Sequence, residues 1–120
     1  MTERSFRITL RFIAAGLLLA GLAISQQASL DIEDDGAVSS AHRRHRTKRG
    51  RKVVWTRKTG AGKSWYVQFA ESPCVEGSTF GSDRTRICTI APNAAFKSYK
   101  YSSAVSPSGP LHDPEIIVEQ

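Results

Sequence analysis

The chain has 120 residues and a formal net charge of +6 at pH 7, and 40% of its residues are hydrophobic. This length allows one small domain after an N-terminal leader and excludes a multidomain enzyme. Its two cysteines can form one disulfide but exclude a four-cysteine zinc site. Seven of the seventeen Lys and Arg residues lie between Arg43 and Lys52. The positive charge therefore belongs to one segment, and a folded groove for specific nucleic acid is not indicated.

The first 25 residues have the layout of a secretory signal peptide. Three arginines precede an uninterrupted apolar run over 12–24, and small residues then provide a cleavage site before Gln26. The three arginines are Arg4, Arg7 and Arg11. The apolar run is shorter than the roughly 20 residues that cross a bilayer, so cleavage is favoured, with an uncleaved membrane anchor as the alternative. Both cases predict an exported protein, periplasmic or secreted, in an oxidising compartment.

Residues 26–52 are predicted to form a disordered linker. They contain almost no large apolar side chains, so they cannot bury enough apolar surface to offset their ordering entropy. An acidic patch comes first, a stretch of small residues over 36–41 follows, and a basic run over 42–52 completes the segment. The acidic residues are Asp31, Glu33, Asp34 and Asp35.

The basic run is the strongest candidate for an interaction site. A flexible arm of clustered cations would bind anionic lipid, lipopolysaccharide, acidic polysaccharide or extracellular DNA, and the binding would weaken as salt rises. The predicted polyanion-binding residues are Arg43, Arg44, Arg46, Lys48, Arg49, Arg51 and Lys52. Two alternatives are a solvated linker whose charge only aids solubility and a basic run that is masked by the acidic patch.

Two motifs inside the basic run allow other interpretations. The sequence Arg46-Thr47-Lys48-Arg49 has the R-x-K-R form of a proprotein-convertase site, in which case residues 26–49 would be a discarded propeptide. His42 and His45 form an H-x-x-H pair that could hold a metal weakly, although the neighbouring cations oppose this. A solvated basic tract is the simpler interpretation of the two histidines.

The rest of the chain, 53–120, is predicted to form one all-β domain. Apolar and polar residues alternate over 65–69, which is typical of a half-buried strand. Further strands are predicted at 53–55, 86–90, 96–103 and 115–119, with proline and glycine between them. Short strands without a helical period indicate a small antiparallel sandwich or open barrel, of cupredoxin-like or immunoglobulin-like type.

The aromatic residues of this domain are expected mainly in its core, with an exposed stacking surface for carbohydrate as the alternative. They are Trp55, Trp65, Phe69, Tyr99 and Tyr101. A core of this size usually needs a covalent staple. Cys74 and Cys88 are predicted to form a structural disulfide, because an exported chain with an even cysteine count favours pairing.

Five short motifs in the domain resemble small bacterial exported proteins with a cupredoxin-like sandwich. In order, the motifs are Val53-Val54-Trp55, Trp65-Tyr66-Val67-Gln68-Phe69, Cys88-Thr89-Ile90-Ala91-Pro92-Asn93-Ala94, Tyr99-Lys100-Tyr101-Ser102 and His112-Asp113-Pro114-Glu115-Ile116-Ile117-Val118-Glu119. In those proteins a T-I-P-A type turn precedes a Y-x-Y strand, and a D-P-x-I-I-V edge strand ends the chain. The resemblance implies a fold, since many members of the group have no assigned activity.

Copper is the cofactor that such a fold suggests, and this chain lacks matching ligands. A blue-copper site takes two histidines and a cysteine thiolate, usually with an axial methionine. Here the only methionine is Met1, the only histidine after residue 52 is His112, and Cys88 is assigned to the disulfide. No cofactor or metal site is predicted, and a metal-handling or redox cupredoxin relative is the alternative function.

No catalytic residues are predicted. The sequence Gly60-Ala61-Gly62-Lys63-Ser64 resembles the end of a P-loop, but Arg57 stands where the first glycine is required and a strand follows. His112 lies beside Asp113 without a nucleophile motif such as G-x-S-x-G. The chain is therefore predicted to be a non-enzymatic binding or structural module.

Overall fold

The computed structural model describes residues 27–60 and 62–120. The predicted signal peptide over 1–25 lies outside these residues. Every regular element that the structure describes is a strand, so the predicted all-β class is confirmed. The strands are β1 (Gln27–Ile32), β2 (Arg44–Lys48), β3 (Lys52–Arg57), β4 (Tyr66–Phe69), β5 (Thr79–Gly81), β6 (Ile87–Thr89), β7 (Ser98–Ala104) and β8 (Glu115–Glu119). This part of the chain holds no helix of the length and hydropathy that a bilayer crossing requires.

The strands form two mixed sheets. The small sheet has the order β1-β3-β6, and the large sheet has the order β2-β8-β7-β4-β5. β1 lies parallel to β3 and β2 lies parallel to β8, whereas the other pairs are antiparallel. The pairs among β3 to β8 are antiparallel, as predicted for residues 53–120, and the two parallel pairs make the complete sheets mixed. Both parallel pairs arise because the segment before β3 adds a strand to each sheet.

The prediction of a disordered linker over 26–52 is corrected by these two added strands. In β1, Leu30 and Ile32 alternate with Asp31 and are completely buried. In β2, Thr47 is buried while the charged residues on either side of it are exposed. The domain therefore includes the described residues from Gln27 onward. Two fully buried aliphatic side chains are enough to hold β1 in the core, although the composition of the whole segment is polar.

An aromatic cluster centred on Trp55 fills the space between the sheets. The Trp55 ring centroid lies 5.1 Å from that of Phe80 and 5.6 Å from that of Tyr101. Trp55 Nε1 donates a hydrogen bond to the Tyr101 hydroxyl at 3.2 Å, and burial raises the pKa of Tyr101 far above its ordinary value. All five aromatic residues that were expected in the core are buried, which confirms that expectation. Phe80, on the unpredicted strand β5, belongs to the same cluster.

The last strand lies inside the large sheet. β8 pairs with β7 on one side and with β2 on the other, so the edge position implied by the resemblance is wrong. The reason is that β2, from the segment expected to be disordered, occupies the outer side of β8. β2 is consequently the edge strand, and its charged side chains are the kind that protect an edge from further pairing.

Cys74 and Cys88 form the predicted disulfide, with an S–S distance of 2.00 Å. Cys88 lies on β6 and is completely buried, and Cys74 forms an isolated β-bridge with Ile90. The bond therefore ties the loop before β5 to the small sheet. Both cysteines of the chain are used in it, and a structural disulfide indicates an oxidising environment of the kind that exported proteins meet.

Candidate functional site

The basic run is folded into a strand and a tight turn, and this divides its side chains between two directions. Successive residues of a strand point to opposite faces. Arg44, Arg46 and Lys48 are therefore exposed on one face of β2, while His45 and Thr47 point inward. The seven predicted polyanion-binding residues do not form one continuous cationic arm.

Two of these cations are paired with carboxylates of β8. Arg44 Nε lies 2.6 Å from an oxygen of Glu115, and Arg46 Nη1 lies 2.6 Å from an oxygen of Glu119. A hydrogen bond from Ser98 and another from Arg44 hold the pKa of Glu115 below its ordinary value, so this carboxylate stays charged. The charge of Arg44 and Arg46 is therefore largely compensated within the sheet.

Of the other five predicted cations, Arg43 precedes β2, and the remaining four lie at the end of the domain where β2 turns into β3. We call them the basic rim: Lys48, Arg49, Arg51 and Lys52. Within residues 27–60 and 62–120 none of the four has a carboxylate within 4.0 Å. The turn that carries them needs Gly50, which adopts a φ of 80°, a conformation that glycine reaches without strain.

The rim turn is held against the loop that follows β6. The amide of Gly50 donates to the carbonyl of Ile90 at 2.8 Å, and the amide of Ile90 donates to the carbonyl of Arg51 at 2.9 Å. Arg49 Nε donates to the carbonyl of Ala94 at 2.8 Å. Its guanidinium carbon lies 3.9 Å from the centre of the Phe96 ring. The backbone of the turn and the Arg49 side chain are therefore held in place. Phe96 lies beside the rim, and sequence reasoning missed it because its contact with Arg49 spans 47 positions.

Other carboxylates at the rim end are occupied by different partners. Glu71 lies 2.6 Å from Lys97 Nζ. Glu76 accepts hydrogen bonds from the amide and the hydroxyl of Thr89. Neither makes an ion pair with the rim in the part of the chain that the structure describes, so the rim keeps a local excess of positive charge.

The acidic patch lies at the opposite end of the domain. β1 runs parallel to β3, with Gln27 opposite Lys52 and Ile32 opposite Arg57, so the residues after Ile32 are far from the rim. Asp34 accepts hydrogen bonds from Thr59 and Arg57, which lower its pKa. The acidic patch therefore pairs with the end of β3 and the turn after it, and it does not cover the basic rim.

The H-x-x-H pair sits where β2 begins. His42 Nδ1 lies 3.2 Å from the Ser39 hydroxyl and 3.5 Å from the amide of Asp31. His45 is half-buried on the inward side of β2. Among the residues described, no group of three or more His, Cys, Asp or Glu side chains is placed to hold a metal ion.

His45 predicts a pH dependence of stability. Burial, with a smaller contribution from the charge of His42, lowers the pKa of His45. A folded-state pKa below the unfolded value of about 6.5 means that the unfolded chain binds the proton more readily. The contribution of His45 to stability is therefore present above about pH 6.5 and is lost as pH falls through the lowered folded pKa. His45→Gln should flatten the dependence of the urea midpoint on pH between about 5 and 7, and an unchanged pH dependence would contradict this.

His112 and Asp113 are directed to different partners. His112 Nε2 lies 3.0 Å from the carbonyl oxygen of Asp35, while Asp113 pairs with Lys100 at 3.2 Å.

The glycine-rich stretch after β3 forms a turn in which the amide of Lys63 donates to the carbonyl of Gly60. Ala61 lies outside the described residues.

A shallow groove of about 290 Å³ lies against the large sheet. Its lining surface is mainly apolar and includes Val67, Phe80 and the exposed Leu111, and Arg84 is the one charged residue in it. Within this lining, the Thr79 hydroxyl donates a hydrogen bond to Gln68, its neighbour on the adjacent strand, at 2.8 Å. The groove was not predicted, because its lining comes from three strands and two loops that are distant in sequence.

No family model, curated protein or solved structure matches this chain. Function is therefore inferred from the side chains and their geometry.

Proposed function

We propose that the mature chain is an exported, non-enzymatic β-sandwich module that binds anionic surfaces through the basic rim. The observation that carries the proposal is the presence of four cations on one fixed turn without a carboxylate partner in the described part of the chain. Positive charges held this close together repel one another and attract an anionic surface. Lys48, Arg49 and Lys52 are all exposed to solvent, so an anionic surface can reach them.

The ion pairs of β2 and the position of Arg43 favour four of the seven predicted residues as the binding contacts. Arg44 and Arg46 are compensated by Glu115 and Glu119, so their contribution is expected to be small. Arg43 lines a hollow with Asp35 and lies at the far end of β2 from the rim. A turn whose backbone is already ordered loses less conformational entropy on binding than a disordered arm does. Lys48, Arg49, Arg51 and Lys52 are therefore the principal proposed contacts.

The partners that fit this site share a high density of negative charge. Anionic lipid, lipopolysaccharide, acidic polysaccharide and extracellular DNA all meet this condition. Contact with each would release counterions, so the affinity is expected to decrease as salt increases. The rim offers no pattern of groups for a specific base sequence, and specific nucleic acid is not proposed.

Replacing the four rim cations together is expected to abolish most polyanion binding. The variant Lys48→Gln, Arg49→Gln, Arg51→Gln, Lys52→Gln should bind dextran sulfate at least roughly 100-fold more weakly at low salt, since each cation contributes about 1 kcal/mol near an anionic surface. The slope of log affinity against log salt should also become shallower. Fluorescence titration of the folded protein over a salt series would measure both quantities.

A control variant with the same loss of charge tests whether position matters. Lys58→Gln, Lys63→Gln, Arg84→Gln, Arg86→Gln removes four cations that lie away from the rim. It should retain most of the parent's affinity. Equal losses in both variants would mean that net charge alone drives binding, and full retention in the rim variant would show the proposal to be wrong.

We further propose that the sandwich is of cupredoxin-like type and does not bind copper. The order of its motifs and its two-layer arrangement support the fold type. The donor chemistry does not fit a blue-copper centre, because the sulfur of Cys88 is bonded to Cys74 and supplies no thiolate. The metal-handling alternative is therefore not favoured.

The proposed location is the periplasm or the extracellular space. The signal-peptide layout and the Cys74–Cys88 disulfide support this location. We also propose that residues 27–49 are retained in the mature protein. Cleavage after Arg49 would remove β1 and β2 and leave unpaired strand edges in both sheets.

A further inference from the structure

We infer that the basic rim binds the surface of an anionic lipid bilayer, with the Phe96 side chain inserted among the headgroups. This inference rests on the proposed function and names its partner. Three observations carry it: the exposure of Phe96, its position beside the rim cations, and the direction in which the chain enters the domain.

Phe96 is an exposed aromatic residue next to cations. It is 46% exposed, and the Arg49 guanidinium stacks on its ring at 3.9 Å. A second exposed apolar side chain, Val75 at 63%, lies at the same end, because its amide donates to the carbonyl of Thr89, the residue that pairs with Lys52. The rim end therefore presents both positive charge and apolar surface.

A lipid bilayer is the partner that uses both properties. Its anionic headgroups attract Lys and Arg, and the boundary of its acyl region receives aromatic side chains. A soluble acidic polysaccharide offers the negative charge without an apolar layer. The exposed Leu111 lies in the loop before β8, away from the rim, so apolar exposure by itself is not confined to this end. The combination of Phe96 with four cations that have no carboxylate partner in the described part of the chain is what points to the bilayer.

The path of the chain is consistent with this orientation. Gln27 begins β1 opposite Lys52, so the preceding residues join the domain at the rim end. The predicted leader is the part of the chain that is held at the membrane during export. While the predicted leader is still attached, the rim is therefore the end of the domain nearer to the bilayer.

The first test compares two truncations of exposed apolar residues. The exported parent chain, Phe96→Ala and Leu111→Ala would be mixed with vesicles of phosphatidylglycerol and phosphatidylcholine and separated by flotation. Phe96→Ala should partition about fivefold more weakly than the parent, whereas Leu111→Ala should partition like the parent. Vesicles of phosphatidylcholine alone should bind all three weakly. The three proteins have the same N-terminal sequence, so any leader that is retained contributes equally to the vesicle binding of each.

The second test places a reporter at the inserted position. Phe96→Trp and Leu111→Trp would be titrated with vesicles in which the phosphatidylcholine carries brominated acyl chains. Trp55 and Trp65 are buried and provide the same background in both variants. Quenching that is at least twofold stronger in Phe96→Trp supports insertion. Equal quenching in the two variants would overturn it.

These outcomes separate the inference from the proposed function. If the rim binds dextran sulfate but Phe96→Ala partitions like the parent, the membrane inference is wrong and a soluble polyanion is the partner. If neither dextran sulfate nor anionic vesicles bind, the proposed function fails as well. If vesicles bind with the expected dependence on Phe96, both the membrane inference and the proposed function are supported.

Discussion

Leu30→Ala is expected to lower the free energy of unfolding by about 2 to 5 kcal/mol. Leu30 is completely buried on β1, in the same core as Trp55. Removing its side chain deletes apolar contacts and leaves a cavity that the surrounding rings cannot fill without moving. Urea unfolding followed by tryptophan fluorescence measures the change directly, because Trp55 and Trp65 lie in the core.

Leu111→Ala is the matched control, with the same chemical change at a residue that is 69% exposed. It should alter the free energy of unfolding by no more than about 0.5 kcal/mol. The pair of variants distinguishes a folded β1 from the disordered linker that composition predicts for this segment. A small and equal effect at both positions would mean that β1 is not part of the core.

Reduction of the Cys74–Cys88 bond is expected to lower the free energy of unfolding by about 3 kcal/mol. The bond joins residues 14 positions apart, and in the chain-entropy model a closed loop of this size restricts the unfolded ensemble by about that amount. For a small domain this is a large share of a total stability of roughly 5 to 15 kcal/mol. The midpoint of urea unfolding with and without dithiothreitol measures the loss.

The double variant Cys74→Ala, Cys88→Ala is the control for this result. It should have a lowered midpoint in the absence of dithiothreitol, and the reagent should cause no further change. An identical midpoint for the oxidised and reduced parent would show that the bridge does not constrain the unfolded chain. A further decrease of the double variant in dithiothreitol would show that the reagent acts elsewhere.

Strands with alternating side chains were predictable from local pattern. Residues 65–69 alternate apolar and polar side chains, and the structure has a strand there. The strand predicted at 115–119 is also present. The expectation that Trp55 and Tyr101 lie in the core is also confirmed. The disulfide was also predictable, since the chain has two cysteines and the layout of an exported protein.

The strand β2 could not be predicted in the same way. Its sequence contains no large apolar residue, and its stability comes from a backbone ladder with β8 and from ion pairs to Glu115 and Glu119. These partners lie about 70 positions later in the chain. A window of ten residues around β2 therefore shows only charge, which favours a disordered segment.

Composition and short-range pattern were sufficient to predict the β class, most of the core and the disulfide. The β class and the core depend on side chains that are close in the chain, and the two cysteines allow only one pairing. Which cations remain available for a partner depended on long-range pairing. Arg44 and Lys48 both lie opposite a glutamate of β8, yet Arg44 pairs with Glu115 whereas Glu119, opposite Lys48, pairs with Arg46. Phe96 joins the rim for the same reason, since the hydrogen bonds between the turn and the loop after β6 bring it to Arg49. Charge near a binding surface is set by neighbours in space, and those neighbours exist only once both sheets have formed.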